Sequence, residues 1–308
     1  MKNVAPSPVA ADSGASSRSE QDVRMHLNLL GHGKLGVTEL RVFDPLPHVA
    51  YADSEDAVVR LCREMDGKTS GIYVGVQPRP AHLFDLAPNR WTPARGGRDG
   101  NCARDGDVEY VTAVFFDIDV VSPERATGHP ASDEELQKSL QAALLLAQQD
   151  GLAGSSAICC SGNGHYVLAP VVPVSVGGDE IAGKFRCFSQ GLADSTAHRI
   201  AGVRIDPVYG LSHVMRLIGT INRKGKPAPG RPYRRASFVT EPVLNRSTAL
   251  HHLILNTESS RPAAGGRELP TGLRCDLKEI DTCEFIQWCR RRPLEVSEPQ
   301  WFAHIQGP

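Results

Sequence analysis

The stretch VFFDIDVV, Val114 to Val121, is an apolar run that carries two carboxylates, Asp117 and Asp119, one residue apart. Side chains two apart on a strand share a face. Two acids on one face of a strand fit for burial repel each other and resist desolvation unless a cation neutralises them. A divalent metal does so economically, and hard Mg²⁺ or Mn²⁺ prefers carboxylate oxygens and works with substrate phosphates. A strand whose end simply meets solvent would carry the same pattern, so D-x-D alone leaves both readings open.

Around this strand, YVTAVFFDIDV, the elements follow in a regular order. SDEELQKSLQAALLLAQQDG opens on a capping box, Ser132 to Glu135, and stops at Gly151, with Leu136, Leu140, Leu144 and Ala147 as its apolar stripe. SSAICC and HYVLAPVV are strands joined by the turn SGNG. DEIAGKFRCFSQGLADSTAHRI is a second helix with Ile181, Phe185, Phe188 and Leu192 on one face. RIDPV through VMRLIG is extended, as is YRRASFV. The order β-α-β-β-α-β is the split βαβ pattern, in which the first and last strands are neighbours. The expected fold class is α+β, with this core over about residues 108–240.

Upstream, VTELRVFDP and GIYVGVQPRP look like strands flanking the helix SEDAVVRLCREMDG, an α/β unit before residue 80. Residues 1–20, rich in Ala, Ser, Pro and Gly, read as a disordered tail. Residues 241–273 read as a linker, and 274–308 as a helical segment that is expected to be cut short. The catalytic candidate domain thus spans 21–240.

The chain has 308 residues and a net charge of −1, so no global basic field advertises a nucleic-acid partner and any such contact needs a local patch. No run of 18 apolar residues exists to span a membrane. None of the eight cysteines forms a C-x-x-C pair, and Cys159 and Cys160 are adjacent, so reduced cytosolic thiols are expected rather than zinc or disulfides. That places the protein in the cytoplasm.

A third acid, Asp206 in VRIDPVYG, lies in the candidate last strand. Beside the first strand it would approach Asp117 and Asp119, and three carboxylates could hold metal ions for an in-line phosphoryl transfer; Asp-Pro is also a common turn opener. In SGNGHYVL, Ser161, Gly162, Asn163 and Gly164 allow a tight turn whose N–H groups, with the Ser161 hydroxyl and the His165 imidazole, could meet phosphate oxygens. An ordinary hairpin would look the same. From Pro207 to Thr240 there is no Asp or Glu but seven basic residues: Arg216, Arg223, Lys224, Lys226, Arg231, Arg234 and Arg235. Such a run suits a triphosphate or a nucleic-acid backbone, or is a solvated face.

Taken together, FFDIDVV, SGNGHY and RIDPVYGLSHVMRLIGTINRKG resemble, in that order, the archaeo-eukaryotic primase superfamily, specifically the primase-polymerases of phages, plasmids and other mobile elements. The resemblance covers roughly residues 108–226, and its last string is the most specific. It implies an RRM-like catalytic half packed with the N-terminal α/β unit. It implies template-directed nucleotidyl transfer on single-stranded DNA with two metals, Mg²⁺ or Mn²⁺, on Asp117, Asp119 and Asp206. His165 and the Ser161–Gly164 turn would touch the phosphates of an incoming NTP or dNTP. Arg216, Arg223 and Lys224 would neutralise triphosphate or template, and Lys226, Arg231, Arg234 and Arg235 would meet nucleic acid. Family architecture suggests a replicative helicase as partner. Two departures stand out. The family usually reads SGNG-x-H, and here that place is Tyr166; a one-residue slip on a strand changes the face. Either a bulge restores His165, or Tyr166 takes the role, or the contact is weakened. The family also often has Arg where this chain has His213.

Two other readings compete. A HAD-type phosphatase also places D-x-D at a strand end, but needs a downstream Lys and an acidic pair on later Rossmann-like strands. A non-enzymatic RRM-like nucleic-acid-binding module would keep the fold with a decayed site.

Overall fold

The computed structural model describes residues 13–258 apart from 96–99, 198 and 209. The elements below belong to one unit, residues 1–94 with 101–259. A second, Arg95–Gly100 with Ser260–Pro308, falls almost wholly outside the described residues, as does the helical segment expected over 274–308.

The N-terminal half is a helix, a sheet and a second helix. Helix α1, Ser13–Leu30, begins inside the stretch read as a tail. Its polar first half is held by tertiary contacts that local composition does not encode: Ser19 Oγ donates to Gly219 O at 2.6 Å and Glu20 pairs with Arg63 at 2.6 Å. Of the tail expected over residues 1–20, residues 1–12 lie outside the described residues. Strands β1 (Thr38–Val42), β2 (His48–Ala52), β3 (Tyr73–Gly75) and β4 (Thr92–Pro93) form an antiparallel sheet, with α2 (Glu55–Met65) after β2. Ser54 caps α2 by accepting from the Ala57 N–H, and Ala57, Val58, Val59, Leu61 and Cys62 are buried.

The central sheet matches the strand order read from the sequence. Strand β5, Tyr110–Val120, has the expected limits and pairs antiparallel with both its neighbours. Helix α3 (Pro123–Ala126) is one turn, and α4 (Asp133–Ala147) carries the expected capping box. Then come β6 (Ala157–Cys160), β7 (His165–Ser175), α5 (Asp179–Ala197) and β8 (Val203–Pro207). After them the chain alternates between sheets. Strand β9 (Val214–Arg216) leaves the central sheet and pairs with β3, giving the first sheet the order β4-β2-β1-β3-β9. Strands β10 (Ile221–Asn222) and β11 (Arg234–Arg235) make a two-stranded ribbon. Strand β12 (Ser237–Phe238) returns to close the central sheet as β12-β6-β7-β5-β8. The fold is therefore mixed α+β with antiparallel ladders throughout.

Helix α6, Thr248–Asn256, lies in the stretch read as a linker. Ser247 caps it and Leu250 and Ile254 are wholly buried, so packing makes a helix of a sequence whose surroundings look like loop. One face of the central sheet is covered by α4, α5 and α6, through Phe116, Ile118, Val167, Phe185 and Leu250. The other face, through Phe115, Tyr166 and Leu168, packs on the core of the N-terminal half with Leu40, Val74 and Met215. The buried face of α4 is Glu135, Ser139, Ala142, Ala143 and Leu146, about one position round from the expected stripe; Leu144 is exposed. Two polar contacts, Glu135 with Arg231 and Ser139 with His165, set that rotation.

A slip in the β5–β7 register between Val111 and Ala113 leaves backbone groups unpaired there. Gln77 of the N-terminal half satisfies them. Its Oε1 accepts from the Thr112 and Ala113 N–H groups at 2.7 and 3.3 Å, and its Nε2 donates to Ala113 O at 2.9 Å. Thr112 Oγ1 donates to Leu30 O, joining the same bulge to the end of α1.

Candidate functional site

Asp117 of β5 is the direct register partner of Asp206 on β8, and Asp119 is the partner of Arg204. Paired residues on adjacent strands face the same way. Asp117, Asp119 and Asp206 therefore lie on one face, and the expectation that Asp206 approaches the D-x-D pair is met. Tyr166 is the β7 partner of Asp117 and joins the same face.

The three carboxylates have different surroundings. Asp117 Oδ1 is enclosed and has no hydrogen-bond partner. Burial, then the charges of Asp119 and Asp206, hold the Asp117 carboxyl well above the usual carboxylate range, against the opposing pull of Lys224 and Arg204. Asp119 and Asp206 share a cation, Arg204, whose Nη2 lies 3.8 and 3.5 Å from them, and Arg125 adds a contact to Asp119 at 3.8 Å. Among the described residues, no three His, Cys, Asp or Glu side chains are gathered as a ready metal cage. Even so, an orphaned carboxylate oxygen among three hard oxygen donors has the chemistry of a Mg²⁺ or Mn²⁺ site, with Arg204 now supplying the charge such an ion would supply.

Arg216, at the end of β9, is only 2% exposed, yet it donates to neutral groups: Ser70 O at 3.2 Å and the Tyr73 hydroxyl at 2.8 Å. Its guanidinium also lies over the Tyr73 ring at 4.7 Å. Among the described residues this buried guanidinium meets only neutral partners, which is costly and favours an anion nearby. Tyr166 is buried against Phe115, ring centroids 4.8 Å apart. Burial and then Asp117 push its phenol further above its ordinary value, so it is a neutral hydroxyl.

His165 lies on the opposite face. It pairs with Ile118, and its Nδ1 is 2.7 Å from Ser139 Oγ of α4. The only slip in the β5–β7 ladder is far from it, so no bulge turns it toward the carboxylates. Burial lowers its pKa to about 4, which keeps it neutral. Of the three readings left open, the register puts Tyr166 in the place facing Asp117.

The Ser161–Gly164 turn is also not an open cradle. Ser161 and Asn163 are buried, and the Ser161 hydroxyl serves the turn itself, donating to Gly164 O. A Cβ on Gly162 would meet Asn222 Cβ at 2.9 Å and Arg234 O at 3.0 Å, so the β10–β11 ribbon covers this turn. A Cβ on Gly164 would meet Ile118 O at 2.5 Å and Asp119 Oδ1 at 2.9 Å; glycine is what lets the turn pass the carboxylate.

The basic run divides in two. Arg231 pairs with Glu135 at 2.7 Å, Arg234 with Asp133 at 2.7 Å and Arg235 with Asp66 at 3.0 Å. These three, expected to meet nucleic acid, form ion pairs that fasten the ribbon and its loop to the rest of the fold. Arg223, Lys224 and Lys226 are exposed; Arg223 reaches Gly67 O and lies 5.2 Å from the Tyr233 ring. Sequence reasoning missed Arg204, Arg125 and Tyr73. The strand period in RID, which puts Arg204 on the face of Asp206, was the signal that could have pointed to Arg204. His213, where the family often has Arg, is exposed near the Phe115 ring.

Comparison with known proteins finds no family model that matches this chain and no curated protein similar to it. Among the described residues, no helix is long and apolar enough to cross a membrane.

Proposed function

We propose that this protein is a primase-polymerase of the archaeo-eukaryotic primase type, with β5-α4-β6-β7-α5-β8 as an RRM-like catalytic half. The observation that carries the reading is the pairing of Asp117 with Asp206 across neighbouring strands, with Asp119 on the same face. The substrates are nucleoside triphosphates and a single-stranded DNA template with its primer.

Asp117, Asp119 and Asp206 would hold Mg²⁺ or Mn²⁺, which when bound lowers the pKa of the attacking 3′-hydroxyl and neutralises charge on the leaving pyrophosphate. Arg216, Arg223 and Lys224 would bind the triphosphate, and the buried, neutrally partnered Arg216 loses least on meeting it. Tyr166 would fill the position the family gives to histidine, as a neutral donor. Arg204 would release Asp119 and Asp206. Lys226 with Arg223 would meet the template backbone. The protein's contribution is positioning and charge stabilisation. A replicative helicase and a cytoplasmic setting belong to the same reading.

A nucleic-acid-binding module without activity is the second reading, favoured by His165 facing away from the carboxylates. The HAD-type phosphatase reading needs Rossmann-like parallel strands, and the ladders here are antiparallel.

Incorporation of labelled nucleoside triphosphates on single-stranded DNA, with Mg²⁺ or Mn²⁺ and with or without primer, tests the proposal. Metal-dependent extension that is lost in Asp117→Ala supports it. Template binding without extension under any condition supports the binding module instead.

A further inference from the structure

The turn between β6 and β7 touches both ends of the candidate site, and the link runs through Asn222, a residue given no role from the sequence. Asn222 is 4% exposed. Its Nδ2 donates to Ser161 O at 2.8 Å, and its Oδ1 accepts from the Lys224 N–H at 3.0 Å. Asn163 supports it from the turn: its Nδ2 lies 3.4 Å from both Asn222 Oδ1 and Lys224 O, and its Oδ1 accepts from the Ala131 N–H at 3.1 Å. One residue on, Gly164 abuts Asp119 Oδ1. A single four-residue turn thus passes close against a carboxylate on one side and is bonded to the backbone of Lys224 on the other.

We propose that Asn222, backed by Asn163, is a positioning residue that sets Lys224 at a fixed place beside the carboxylates, so that the cation meeting the triphosphate and the groups holding the metal are spaced by one rigid turn. Asn222 satisfies two backbone groups at once, Ser161 O and Lys224 N, and alanine would supply neither partner. The Lys224 N–H would then lose its partner, while the Arg223 N–H keeps Ser70 O and the Lys226 N–H keeps Gly128 O. The ion pairs of Arg231 and Arg234 would still hold the far end of the same loop. The effect of the loss is therefore local to residues 222–226. This inference rests on the triphosphate role of Lys224 given above.

The test is the affinity of a fluorescent, non-hydrolysable nucleoside triphosphate in Mn²⁺, measured for the wild type, Asn222→Ala, Asn163→Ala, Lys224→Ala and the Asn222→Ala/Lys224→Ala double variant. Thermal melts and amide exchange accompany each titration. Lys224→Ala is expected to weaken binding about tenfold, as for loss of a charge-assisted contact, and Asn222→Ala by a similar factor. The double variant is expected to be no weaker than either single by more than about twofold, because both remove one interaction. Asn163→Ala, which keeps the Asn222 bonds, is expected to fall between, and it serves if Asn222→Ala fails to fold. Faster exchange confined to the amides of 222–226 is expected in both Asn variants. Wild-type affinity in folded Asn222→Ala and Asn163→Ala, or effects that add fully in the double variant, would overturn the positioning role alone. No triphosphate binding by the wild type overturns the nucleotidyl-transfer reading and this role with it.

Discussion

At the scale of single residues, Asp117 is the most informative position. A carboxyl whose folded pKa is raised opposes folding once the pH exceeds its unfolded value near 3.8, because the folded state must then hold a proton that the unfolded chain has released, or bury a charge. Asp117→Asn is therefore expected to melt higher than the wild type at pH 7 in a metal chelator, by about 2–4 °C for each kcal/mol relieved. Adding Mn²⁺ should raise the wild-type midpoint and leave that of Asp117→Asn nearly unchanged. An Asn variant that melts lower in chelator would contradict the picture of an enclosed, unpartnered oxygen. His165 gives the complementary case. Its ring serves Ser139 and the core, so His165→Ala is expected to cost about 1–3 kcal/mol of stability and to leave triphosphate affinity intact. A melt and a nucleotide titration on the same sample separate the two effects.

At the scale of elements, α4 is held at its N-terminus by a charged knot. Burial opposes the charge on Glu135, but hydrogen bonds from Arg231, Ser122 and the Ser132 N–H prevail and hold its pKa at about 2. A depressed carboxylate pKa stabilises the fold above the unfolded value of 4.5, and that stability is lost as the pH falls through about 2. Glu135→Gln is expected to melt below the wild type at pH 7, and the gap should close between pH 4.5 and 2. A gap of constant size across that window would mean that packing, and not charge, holds Glu135. The elements also mark what a sequence can disclose. Strand β5, the capping box at Ser132 and the adjacency of β5 and β8 were legible, since period, cap chemistry and strand order are local or combinatorial signals. Strand β4 escaped reading because it is two residues long, and β2, the same length as β1, was also missed. Helices α1 and α6 escaped because distant partners, Gly219 and the face of α5 and β7, stabilise them. The stripe on α4 was misplaced by a position because Glu135 and Ser139 face inward to satisfy Arg231 and His165. In the site, the D-x-D pair gave the carboxylates, but a turn closed by Asn222 looks in sequence like one open to a phosphate.

At the scale of the whole molecule, acid sensitivity is built into the core. Burial, reinforced by His32, lowers His26 to about 3, and burial lowers His32 and His165 to about 4. A depressed histidine pKa leaves the stability whole above the unfolded value of 6.5, and it drains as the pH falls below that. Each histidine removes about 1.4 kcal/mol per pH unit until its folded pKa is reached. Urea midpoints are expected to fall steeply from pH 6.5 toward 4. A His26→Gln variant, which can still accept from the Ile218 N–H, should lose about a third of that slope. An unchanged slope would place the sensitivity elsewhere.

The return of the chain to its first sheet sets a timetable for synthesis. Until residues 214–216 have been synthesised, β3 has no outer neighbour, and its edge of unpaired N–H and C=O groups is open to any passing strand. The same late segment supplies Gly219 for Ser19 and Ile218 for His26. The N-terminal half, though made before the central sheet, is thus among the last parts to be completed, and a ribosome stalled near residue 210 would display an adhesive edge in place of a finished half.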